Sequence, residues 1–78
     1  MNIEKYNQAF IETFGIANVE DLYGYTFKES PNWDSVGHMM LCAAIEDAFG
    51  VQLEGEDILS ITSYKGGQKV LFKYGIEF

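Results

Sequence analysis

The segment Asn32-Trp33-Asp34-Ser35-Val36-Gly37-His38 gathers an acid, a hydroxyl and an imidazole within a few residues. Asp34, Ser35 and His38 could be read as a hydrolytic triad. Ser35 and His38 lie three apart, so on one helix their side chains can approach. Asp34, at the helix start, is poorly placed to grip the far nitrogen of His38, and a triad also needs an oxyanion hole over its substrate. His38 and Cys42 lie four apart, a spacing that suits two metal ligands on one helical face. Two ligands fall short of a closed site and no nearby run supplies the rest, so Cys42 reads better as a small core residue. The acidic stretch Glu54-Gly55-Glu56-Asp57 lacks the alternating oxygen ligands and closing glutamate of a calcium loop, and reads as a solvated helix start. Ser35 offers a different chemistry. It stands where a long loop becomes a helix, where the first N–H groups lack partners and the helix dipole is positive. A phosphate ester on that hydroxyl would sit in a favourable field, and another enzyme could reach it. The plain alternative is helix capping, because aspartate and serine are both preferred N-cap residues. His38 is then expected as a surface group beside whatever Ser35 carries.

Four helical segments would position these residues, and no segment alternates cleanly enough to be a strand. The first runs from about Asn2 to Phe14, with Ile3, Tyr6, Phe10 and Phe14 on one face and Gly15 as its stop. Residues 15–34 form a long connection, eased by a helical turn at Val19–Tyr23 and by Leu22, Tyr25 and Phe27 as anchors to the core. Ser30-Pro31-Asn32 reads as a turn. The second helix runs from about Ser35 to Phe49, with Leu41, Ala44, Ile45, Ala48 and Phe49 as its inner stripe and Gly50 as its stop. Leu41 and Ile45 already fill that stripe, so at least one of Met39 and Met40 should be partly exposed, which suits contact with partners or a greasy cargo. A short helix is expected over Gly55–Ile61, with Glu56 and Asp57 in its first turn, where acids are favoured. A last helix is expected over about Ser63–Tyr74, capped by Thr62 or Ser63, with Gly66 and Gly67 each weakening it by about 1 kcal/mol relative to alanine. The fold expected is therefore all-α, a single domain over residues 1–78 built as a four-helix bundle of three longer helices and one short third helix.

Bulk properties narrow the function. A chain of 78 residues buries only about 60% of the surface it exposes when unfolded, which leaves little room for a water-excluding active site. Its composition is that of a globular protein, 47% hydrophobic and 15% aromatic. With a single cysteine no internal disulfide can form. No run reaches the roughly 18 apolar residues that a membrane span needs. The opening MNIEKYNQAF lacks the basic stretch and apolar run of a signal peptide, so the cytoplasm is the expected location. Twelve acids against five lysines give a net charge of −7. That charge disfavours nucleic acid and anionic lipid and favours basic protein partners. It is uneven: residues 1–63 hold eleven acids and two lysines, residues 64–78 three lysines and one acid.

Taken together the chain resembles the acyl carrier protein family. The likeness runs through Trp33-Asp34-Ser35-Val36, Leu41, Ile45-Glu46-Asp47, Phe49-Gly50-Val51 and Leu53. It continues through Asp57-Ile58, Ile61-Thr62-Ser63-Tyr64, Val70-Leu71 and Tyr74-Gly75-Ile76, and so covers essentially the whole chain. The resemblance implies an acyl-carrier-like bundle in which Ser35 carries 4′-phosphopantetheine, donated from coenzyme A by a phosphopantetheinyl transferase (a holo-carrier synthase). The thiol of that arm holds acyl groups as thioesters. Asp34 matches the acid beside the modified serine, Val36 an apolar position near the arm, and Val36, Ala43, Glu46 and Asp47 the partner face, to which Met40 is added as an exposed methionine suited to partner contact. His38 would lie near the arm. The partners implied are the transferase, acyl-activating or acyltransferase enzymes and downstream biosynthetic enzymes, met by a monomeric carrier that is not itself an enzyme. Gly37, His38 and Met40 stand where fatty-acid carriers are usually more acidic, and Trp33 replaces a glycine-alanine approach to the serine. Carriers of this Trp-Asp-Ser type look like members of specialised lipid, polyketide, polysaccharide or other biosynthetic pathways. Three rivals remain: an aminoacyl or peptidyl carrier, an unmodified protein-interaction bundle, and a minimal esterase.

Overall fold

The three- and four-residue recurrence of Ile3, Tyr6, Phe10 and Phe14 builds α1, Asn2–Phe14, in a computed structural model that describes residues 2–78. A 3₁₀ segment follows over Val19–Gly24, then α2 over Ser35–Phe49, α3 over Gly55–Ser60 and α4 over Tyr64–Phe72. The chain is all-α, with no strand among the described residues. An isolated antiparallel bridge between Thr26 and Ser63 ties the long connection to the start of α4. The molecule measures 28 × 26 × 18 Å along its principal axes.

α1 packs against α2, and α4 against α3 and the 3₁₀ segment. Tyr6, Phe10 and Phe14 from α1, Leu22 and Tyr25 from the connection, Leu41 and Ile45 from α2, and Ile61, Tyr64 and Leu71 from the C-terminal half form one core with Trp33. Each such side chain contributes about 1.5–3 kcal/mol by leaving water. The aromatic rings add directional contacts: Phe10 meets Trp33 edge-on at 5.4 Å and Phe14 stacks on it at 5.2 Å.

The long connection is fastened along its length. The Asn32 side-chain amide donates to the Phe14 carbonyl at 3.0 Å, and the Tyr25 hydroxyl donates to the Pro31 carbonyl at 2.9 Å. The Phe27 N–H donates to the Thr62 carbonyl, and the Tyr64 N–H to the Tyr25 carbonyl. These bonds satisfy backbone groups of a connection that has only a short 3₁₀ segment and one bridge of its own.

α1 and α2 have the limits expected from their spacing, and Gly15 and Gly50 follow them in left-handed turns. The helical turn expected at Val19–Tyr23 is a 3₁₀ segment one residue longer. α3 stops at Ser60, one residue short, and Ile61 turns into the core. α4 is shorter than expected at both ends. Ser63 lies outside it as the N-cap, extended at φ −158° and accepting the Gly66 N–H. At the other end Lys73 and Tyr74 form a tighter turn, their N–H groups donating to the Val70 and Leu71 carbonyls, and their side chains bind the Asp57 carboxylate.

Gly67, which sequence reasoning treats only as a weak helix former, is demanded by packing. A Cβ there would lie 2.1 Å from the Tyr6 hydroxyl oxygen, and that hydroxyl donates to the Tyr64 carbonyl at 2.5 Å. The tip of the Tyr6 side chain, reaching over from α1, therefore occupies the space beside Gly67 that a larger residue would need.

Candidate functional site

Asp34 and Ser35, both candidates for the cap of α2, have separate roles. Asp34 is extended, at φ −105° and ψ −167°, and its Oδ1 accepts the Gly37 N–H at 2.8 Å. It is the N-cap. Ser35 is the first residue of the helix, exposed, and its hydroxyl has no hydrogen-bond partner among the described residues. Capping therefore accounts for the aspartate and leaves the serine oxygen at the positive end of a fifteen-residue helix, open to solvent.

Gly37 is buried in the first turn of α2 and sets how closely the preceding loop can lie. A Cβ at that position would fall 2.1 Å from the Asn32 carbonyl oxygen, and that atom belongs to backbone which cannot swing aside. Asn32 itself has φ +69°, a conformation that asparagine tolerates better than most residues. The tight approach fixes the path of Trp33 and Asp34 into the helix.

His38 does not have the expected surface position. Its ring is half-buried and stacks on Trp33 at 6.1 Å with the planes 18° apart. Trp33 Nε1–H donates to His38 Nδ1 at 3.0 Å, and His38 Nε2 lies 2.7 Å from the Ile58 carbonyl oxygen. An indole nitrogen can only donate and a carbonyl can only accept, so the proton of the neutral imidazole is on Nε2. Both ring nitrogens are thus committed, one to the loop before α2 and one to α3. A general base for Ser35 needs a free nitrogen aimed at the serine oxygen, and His38 has none to offer.

Cys42 lies one turn further along, its sulfur 3.8 Å from His38 Nε2. It is buried, and burial, aided by the charge of Glu46, pushes its thiol up to about 11. It is a protonated core residue, unsuited to nucleophilic attack or metal ligation in this state.

The outward face of α2 carries Val36, Met39, Met40, Ala43 and Asp47. Val36 is 70% exposed and Met40 56%. The helix has no charged side chain before Glu46, so an apolar strip runs from the free serine to an acidic end. Glu46 is half-buried, and its Oε2 accepts the Leu53 N–H at 2.8 Å, which fastens the turn between α2 and α3. Asp47 is exposed. The two acids therefore differ: one is built into the fold and the other projects from it.

Sequence reasoning missed Trp33 as the hub of this region. It is 1% exposed and touches Phe10, Phe14, Tyr25, Phe27 and His38. It belongs to no helix, so no periodicity marks it; the one signal was a large aromatic residue directly before the capping aspartate. Asp57, read as part of a solvated acidic helix start, is also buried. Lys73 Nζ donates to its Oδ1 at 2.7 Å and the Tyr74 hydroxyl to its Oδ2. Those donors hold its carboxyl below the usual aspartate value.

Among the described residues no helix is long and apolar enough to cross a membrane. No protein-family model, curated protein or solved structure matches the chain.

Proposed function

We propose that the protein is an acyl carrier with the helical architecture of that family. In this reading Ser35 is the attachment point for 4′-phosphopantetheine taken from coenzyme A, and the chain is a substrate shuttle rather than an enzyme. The observation that carries the reading is the Ser35 hydroxyl itself. It heads α2, it is exposed, and the capping that would otherwise occupy it is done by Asp34.

The residues present fit such an arm. The start of α2 places its positive end at the point where a phosphodiester would form. Asp34 fixes the helix start and keeps the serine oxygen outside the hydrogen-bond ladder. Trp33 and Gly37 hold the loop so that a transferase meets a preformed turn. Val36 and Met40 offer apolar contact beside the serine, and Asp47 an exposed charge for a basic enzyme. When attached, the arm supplies a thiol that holds acyl groups as thioesters. The pattern from Trp33 through Ile76, which resembles acyl carriers throughout, supports the same assignment.

The partners in this reading are the phosphopantetheinyl transferase, the acyl-activating or acyltransferase enzyme that loads the thiol, and biosynthetic enzymes that consume the cargo. A monomeric cytoplasmic protein of net charge −7 suits brief encounters with basic surfaces. The engagement of both His38 nitrogens supports a carrier over an esterase. Incubation with coenzyme A and a promiscuous phosphopantetheinyl transferase should add one arm, detected by intact mass. Ser35→Ala should add none. An unmodified wild-type protein under conditions that load a control carrier would remove the proposal and leave an interaction bundle.

A further inference from the structure

A carrier of greasy groups has two places to keep them, between its helices or on its surface, and the residues around Ser35 bear on the choice. One way into the bundle beside Ser35 lies between α2 and α3, where His38 of α2 reaches across to Ile58 of α3. Among the described residues one hydrogen bond joins these helices directly, from His38 Nε2–H to the Ile58 carbonyl at 2.7 Å. Behind it stands Trp33, 1% exposed, stacked on the His38 ring and bonded to its other nitrogen. Phe27 covers the imidazole from a third side, at 5.2 Å between ring centres. Entry there would therefore break the two hydrogen bonds of the half-buried His38 ring and displace the largest ring in the core. Outside, the surface is already apolar. Val36 is 70% exposed, Met39 58%, and Leu59, the residue after Ile58, 78%.

We infer that the cargo of the Ser35 arm rides outside the bundle, over Val36, Met39 and Leu59, and that His38 is the latch that keeps it out of the core. The inference rests on the carrier reading and adds a substrate class to it. A carrier that gives its cargo no interior shelter suits short or polar acyl groups, because a long alkyl chain left on the surface would keep most of its methylenes in water. His38 acts here as a specificity-determining residue through Trp33 and α3, without touching the thioester.

The test loads the unmodified protein from acetyl-, hexanoyl- and decanoyl-coenzyme A with the promiscuous transferase, and reads three signals besides any activity. The first is the indole N–H resonance of Trp33, the single tryptophan of the chain. The second is the melting temperature. The indole signal should hold its position across the series, and the three melting temperatures should agree within about 2 °C. Backbone amide shifts, a third readout, should be confined to Val36, Met39, Met40 and Leu59. In His38→Ala the decanoyl form should move the Leu41 and Ile58 signals and melt higher than the acetyl form. Indole shifts or melting temperatures that climb with chain length in the wild-type protein would overturn the external placement, whether or not the variant folds. A His38→Ala protein that folds and responds like wild type would overturn the latch. A protein that accepts no acyl arm at all defeats the carrier reading instead, a result visible by mass before any of these signals is measured.

Discussion

Asp34 and Glu46 each accept a backbone N–H, whereas the Ser35 and Asp47 side chains have no hydrogen-bond partner among the described residues, and mutation should separate these roles. Asp34→Ala removes the cap of α2 and should cost about 1 kcal/mol, seen as a lower urea midpoint with an unchanged slope. Glu46→Ala should cost about 1.5–3 kcal/mol by releasing the Leu53 N–H from a charged acceptor. Asp47→Ala should leave stability within about 0.5 kcal/mol of wild type, and any effect should fall on the rate of modification. Gly37→Ala pushes a methyl group toward the Asn32 carbonyl and should cost about 1–3 kcal/mol, with the loss at Ser35 modification exceeding the loss of fold. At this scale Ser35 was legible because a serine at a loop-to-helix junction is a local pattern. The roles of Gly37 and His38 were not, because each depends on an atom from another segment: the Asn32 carbonyl in one case, Trp33 and the Ile58 carbonyl in the other.

The elements were read with uneven success for a physical reason. α1 and α2 carry long apolar periods and end at glycines, so their limits follow from the chain alone. α4 is set partly by contacts from outside it: Ser63 caps it locally, but Gly67 lies against Tyr6, and its last expected turn is a tighter one with i→i−3 bonds, from which Lys73 and Tyr74 reach Asp57. The lysine content of the C-terminal segment, unexplained by the sequence, has part of its explanation in that clamp. The clamp should also make folding acid-sensitive. Hydrogen bonds from Lys73, then from Tyr74, hold the folded Asp57 carboxyl below its ordinary value of 3.8. The unfolded chain therefore takes up the proton at a higher pH than the folded one. The stabilisation is complete above about pH 4 and is lost as the pH falls through the lowered folded value. Asp57→Asn should lower stability at neutral pH and flatten its decline in acid, measured by urea titration from pH 7 down to about pH 3. An unchanged acid slope would show that other carboxylates carry it.

At the scale of the molecule the proposed carrier uses its acidic surface and the apolar face of α2 in sequence: charge would bring a basic partner close, and the exposed Val36, Met40 and Ala43 would provide the contact once it arrives. The apparent on-rate of the transferase should therefore fall several-fold between roughly 50 and 500 mM salt, while kcat changes little. The net charge was plain from composition, but its division between built-in acids such as Glu46 and Asp57 and projecting ones such as Asp47 required the fold. The central claim still concerns one oxygen atom. Peptide mapping by mass spectrometry on the protein purified from its own host reads that atom directly. The account predicts a phosphopantetheine adduct localised to Ser35, with or without an acyl group on its thiol. A native protein whose Ser35 peptide is found bare throughout, under conditions that preserve phosphodiesters, would contradict it.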